Sequence, residues 1–87
     1  MKQGGESMKR QITRETIMIR EARIRMGYSQ QEVAALAGVH IRQYQRLEYG
    51  EREIHRINMQ FGMTVCAILG LDPFLLIFGR DFHLPSE

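Results

Sequence analysis

The stretch Ser29-Gln-Gln-Glu-Val-Ala-Ala-Leu-Ala-Gly-Val-His-Ile-Arg-Gln-Tyr-Gln-Arg-Leu-Glu-Tyr-Gly50 carries two helical patterns separated by three residues. Ser29 followed by Glu32 is a capping box, in which hydroxyl and carboxylate satisfy the free backbone N–H groups at a helix start. A helix is therefore expected from about Gln30, with Val33, Ala34, Leu36 and Ala37 on its apolar side. Gly38 supplies the left-handed or tight conformation that stops it. After Val39 and His40, a second pattern puts Tyr44, Leu47 and Glu48 on one stripe with Ile41 at its edge, while Arg42, Gln43, Gln45 and Arg46 share the remaining surface. Ala34 is small enough to let the two helices cross closely.

Upstream, Ile19, Ala22, Arg23 and Met26 recur at helical spacing, so a helix is expected from Arg14 to its stop at Gly27. Residues 1–13 hold a Gly-Gly pair, scattered charge and no periodicity, and read as a flexible arm. Downstream, Gly50 is a helix stop, and an irregular segment reaches Asn58, an N-cap for a helix bearing Phe61, Val65, Ile68 and Leu69. Asp72-Pro73 is a cap followed by a first-turn proline for a short fifth helix, Phe74 to about Phe78, and residues 80–87 form a tail. With no strand pattern, the expectation is an all-α, compact five-helix domain over residues 14–79.

A chain of 87 residues supports one core but not a deep substrate cleft beside it, and no catalytic motif is present, so a binding module is expected rather than an enzyme. Twelve Lys and Arg against ten Asp and Glu give a net charge of +2, and eleven of the twelve basic residues lie at or before Arg56. A polyanionic partner suits that distribution. The single Cys66 excludes an internal disulfide and reads as a small buried thiol. His40, His55, His83 and Cys66 lack the close paired spacing of a zinc site, so neither metal nor cofactor is expected. Met26 and Met63 fall at positions where gap-filling in the core is the expected role. No stretch approaches the roughly 20 apolar residues of a membrane span, and the N-terminus lacks an apolar signal core. The expected location is the cytoplasm, with no membrane partner and no evident small-molecule ligand.

The Ser29 to Gly50 segment resembles the Cro/phage-repressor helix-turn-helix family, also called the xenobiotic-response-element type, at Ser29-Gln30, Ala34, Gly38, Leu47, Glu48 and Gly50-Glu51-Arg52. With its flanks the resemblance spans about Ile17 to Phe78. It implies a lambda-repressor-like domain that docks its third helix in the major groove of double-stranded DNA. A charged helix face is by default only solvated. In this family the outward residues of the third helix meet base edges, which makes Arg42, Gln43 and Arg46 base-reading candidates and Ile41 an apolar contact for a thymine methyl. Gln30 and His40 map onto phosphate-contacting positions, a helix cap or an ordinary surface group being the alternative for each. Two features depart from the family pattern: Tyr44 stands where an aliphatic residue is usual, and the link from Arg52 to the fourth helix is longer.

Two further expectations come from the residues themselves. Arg23 and Glu48 both lie on inward stripes, where an unpaired charge is too costly, so they are expected to form an ion pair between the first and third helices. The run Phe74 to Phe78 exceeds what one buried face can hide. Either it caps the core, or Phe74, Leu75, Ile77 and Phe78 form a homodimer seam that sets two recognition helices about 34 Å apart on a palindromic operator. The function expected is a sequence-specific transcriptional regulator, most naturally a repressor. The alternative is an antitoxin-like or regulator-binding protein-interaction module that keeps the fold with weak DNA contact.

Overall fold

Each α-helix begins at a side chain that accepts a backbone N–H. Thr13 caps α1 (Arg14–Met26), Ser29 caps α2 (Gln30–Ala37), His40 caps α3 (Ile41–Glu48), Asn58 caps α4 (Met59–Leu69) and Asp72 caps α5 (Pro73–Phe78). The first three are reciprocal capping boxes, which close two orphan donors at once. The structure, a computed structural model, describes residues 11–79, and among these the only regular elements are helical.

The core draws on every helix. Ile19 and Ala22 of α1, Val33 and Ala34 of α2, Tyr44 and Leu47 of α3, Val65, Cys66 and Leu69 of α4, and Leu76 of α5 are all buried. α2 packs on α3 and α4, while α1 packs on α3, α4 and α5. The long link after α3 contains a 3-10 turn, Ile54–Arg56, which drops Ile54 into the same core. The added length thus contributes an apolar anchor. Burial of the Cys66 thiol, aided by nearby Asp72, raises its pKa and keeps it protonated and inert.

Three apolar side chains assigned inward by periodicity lie outside. Leu36 is 57% exposed, because α2 is only eight residues long and buries Val33 and Ala34 alone. Met26 is exposed at the last residue of α1, where Gly27 turns the chain away. Met63 is exposed on α4, beside an open groove lined also by Met59, Pro73 and Ile77, so neither methionine fills a core gap.

The arm also begins to dock earlier than its composition suggests. The Gln11 N–H donates to the Tyr49 carbonyl at 3.0 Å, and Thr13 caps α1, so residues 11–13 lie against the end of α3. The rest of the arm, residues 1–10, and the tail, residues 80–87, lie outside the described residues.

Gly50 makes that docking possible. Its φ of +79° is left-handed, and a Cβ there would fall onto the Gln11 carbonyl oxygen. Gly27 has a similar φ of +82° but open space around the missing Cβ. Gly27→Ala should therefore cost only the left-handed strain, about 1–2 kcal/mol, whereas Gly50→Ala should cost clearly more because backbone must move. Urea midpoints at unchanged slope compare the two. Equal losses would show that residues 11–13 are not held.

Candidate nucleic-acid interface

The turn between α2 and α3 is closed by backbone: the N–H of Gly38 reaches the Ala35 carbonyl and that of Val39 the Ala34 carbonyl, at 3.1 and 3.0 Å. Gly38, at φ +73°, permits this geometry. The start of α3 is closed by side chains. His40 Nδ1 accepts from the Arg42 N–H at 3.1 Å, and Gln43 Oε1 accepts from the His40 N–H at 3.2 Å.

Glu48 lies at the other end of α3, with its side chain only 1% exposed. Arg23 grips it bidentately: Nε donates to Oε1 and Nη2 to Oε2, both at 2.9 Å, while Nη1 donates to the Tyr28 carbonyl at 2.9 Å. The Tyr44 hydroxyl adds a 2.6 Å bond to Oε1, and Gln30 Nε2 a 3.1 Å bond to Oε2. Gln30 is itself tied to Tyr49, and its Oε1 accepts from Gln45 Nε2 at 3.1 Å. α1, α2 and α3 thus meet on one carboxylate.

Electrostatics follow from this arrangement. Burial alone would raise the Glu48 pKa, but hydrogen bonds from Arg23, Tyr44 and Gln30 outweigh it and hold the carboxyl below its ordinary value. The hydrogen bond to Glu48 raises Arg23, although burial opposes it. Burial, then the bond to Glu48, pushes the Tyr44 phenol well up, so it stays a neutral donor. Tyr44 stands at a usually aliphatic position because its ring fills the core and its hydroxyl satisfies Glu48.

The remaining candidates divide by what already occupies them. Gln30 turns its amide inward to Glu48, Tyr49 and Gln45, and the His40 imidazole serves as a cap. Ile41 is half-buried against the core. Arg42 lies along α3 near Gln45 and Glu51, and Gln43 is exposed with its oxygen in the cap. Arg46 is exposed and opens, with Arg52, onto a cleft of about 400 Å³ that Val39, Asn58 and Phe61 also line. Sequence reasoning missed the structural parts of Gln45 and Tyr49. It also missed the Tyr44–Glu48 bond, for which the signal was one-turn spacing on a shared stripe.

α5 buries only Leu76. Phe74, Leu75, Ile77 and Phe78 are exposed, and the two phenyl rings stack with centroids 6.3 Å apart. Arg14 holds the helix end, donating to the carbonyls of Leu75 and Leu76 at 3.2 and 2.7 Å.

These features define a helix-turn-helix domain whose third helix is presented by a rigid three-helix junction. A helix-turn-helix family model matches residues 19–60, and the match supports a helix-turn-helix domain of the Cro, cI and xenobiotic-response-element type, a kind found in DNA-binding transcriptional regulators. No curated protein matches the chain. Among the described residues, no helix is long and apolar enough to cross a membrane, and no group of three His, Cys, Asp or Glu could hold a metal.

Removing Arg23 leaves a buried carboxylate short of its main partner, so Arg23→Ala should cost about 3–5 kcal/mol. The pH dependence has a definite sign. The folded-state pKa of Glu48 is lowered, so its contribution is fully present above the ordinary glutamate value of 4.5 and is lost as pH falls through the lower folded value. Glu48→Gln should flatten the acid limb of stability against pH below that point. Thermal unfolding at several pH values checks this, and an unchanged acid limb would contradict it.

Proposed function

We propose that the protein is a sequence-specific transcriptional regulator, a repressor that binds a palindromic operator as a homodimer in the cytoplasm. The observation that carries this reading is the outward face of α3, where Arg42, Gln43 and Arg46 share a surface with no acid from His40 to Arg46. Arg pairs bidentately with guanine O6 and N7, and Gln with adenine N6 and N7, so these side chains are the base readers, with Ile41 as an apolar contact. His40 and the N-terminus of α2 at Gln30 meet phosphate, in the case of Gln30 chiefly through the backbone N–H, since its amide is engaged inward. Phe74, Leu75, Ile77 and Phe78 form the dimer seam, because pairing covers an apolar face that water would otherwise meet.

A second reading keeps the fold as a protein-interaction module. Phe74 and Phe78 are 50% and 56% exposed, and such a face can take a partner of another kind. Binding-site selection from random duplexes separates the two readings: enrichment of a palindrome supports the regulator, and no enrichment favours the module.

Arg46→Ala is the cleanest variant, because its exposed side chain makes no hydrogen bond or ion pair among the described residues. It should leave the unfolding midpoint unchanged, cost about 1–3 kcal/mol in binding and relax preference at one operator position. Selection of the parental sequence at parental affinity would contradict base reading by Arg46. Phe78→Asp should give a folded monomer in sedimentation, and a parent already monomeric both free and on DNA would contradict the seam.

A further inference from the structure

Gly50 turns the chain back at the end of α3, and the N–H groups of Glu51 and Arg52 both bond to the Arg46 carbonyl, at 2.8 and 3.0 Å. That return brings the Glu51 side chain alongside Arg42. Glu51 Oε1 lies 3.9 Å from Nη2 of Arg42, and Gln45 Oε1 lies 3.4 Å from Nη1. The partners differ in exposure: the Arg42 side chain is 41% exposed and that of Glu51 only 9%, with Oε2 buried and without a hydrogen-bond partner. The guanidinium is in front and the acid behind it. A desolvated carboxylate with so little other satisfaction favours the nearest cation.

We propose that Glu51 is a positioning residue for base reading: it stands behind the Arg42 guanidinium, holds it in one orientation and makes Arg42 a selective guanine reader. The inference rests on the base-reading role proposed above for Arg42. A mobile arginine meets phosphates and base edges alike, and its ordering opposes binding when it reaches a base. An arginine ordered in the free protein avoids that loss, and the gain is largest where bidentate geometry with guanine O6 and N7 is available.

Loss of Glu51 has two opposed effects on binding. Removing an acid near a polyanion by itself strengthens binding to every duplex. Removing a support for Arg42 weakens the preferred site relative to others.

The test titrates the duplex enriched by selection, and a scrambled duplex, with the parent, Glu51→Gln, Glu51→Asp, Arg42→Ala and the Arg42→Ala/Glu51→Gln pair. Glu51→Asp keeps the charge but shortens the reach, so a loss there cannot come from net charge. Both Glu51 variants should retain the parental unfolding transition and lower the preferred-to-scrambled affinity ratio about three- to tenfold, the scale of ordering one long side chain. The operator position relaxed should be the one that Arg42→Ala relaxes, and adding Glu51→Gln to Arg42→Ala should change the ratio no further. If Glu51→Gln tightens both duplexes alike, or selects the parental sequence, Glu51 is only a repulsive charge and the proposal fails. A parent that enriches no sequence fails the base-reading role itself, and the proposal with it, before any Glu51 variant is measured.

Discussion

The ion pair between Arg23 and Glu48 determines how the first three helices meet. Two charges taken from water are a net cost unless nearly every lone pair and proton finds a partner. Glu48 meets that condition with two bonds from Arg23, one from Tyr44 and one from Gln30. Apolar packing is non-directional and tolerates small rotations of a helix about its axis, whereas hydrogen bonds converging on one carboxylate do not. The outward face of α3 is therefore oriented from its buried face. Tyr44 serves both requirements, since its ring belongs to the core and its hydroxyl to the carboxylate.

The same polar chain explains why so many surface side chains are already committed. α2 and α3 are eight residues each, too short to persist as helices without help from caps and packing. His40 and Gln43 close the start of α3, and Gln30 links the start of α2 to Glu48 and Gln45. Polar groups that a solvated face would leave to water are used for architecture. Arg46 and Arg52 stand apart from this network, and Arg42 stands at its edge.

What was legible in the sequence was what few residues decide. Caps, stops and the Asp72-Pro73 start are determined within four positions, and their side chains carry the information directly. Arg23 and Glu48 could be matched because a charge on an inward stripe requires a partner. Leu36, Met26 and Met63 were not legible, because a stripe states which side faces inward but not how far the neighbouring helix extends. Gln30 and His40 were ambiguous for a different reason: capping a helix and meeting a phosphate call on the same polar atoms. The contact of Gln11 with Tyr49 joins distant backbone, and backbone atoms leave no periodic trace in side-chain types.

α1 links the two surfaces to which function is assigned. At its start, Arg14 grips the Leu75 and Leu76 carbonyls of α5; in its last turn, before Gly27, the helix carries the Arg23 side chain that orients α3. α5 has six residues and one buried side chain, so its pose depends on Asp72, Leu76 and Arg14 more than on its own helicity. In the proposed dimer the seam and the recognition helix would thus be joined through one continuous helix of thirteen residues. The separation of the two α3 helices would then be set by covalent geometry along α1 and by hydrogen bonds at each of its ends, with no hinge between them. In such a dimer a fixed half-site spacing would follow, because an error in the pose of α5 would be carried through α1 to the orientation of α3.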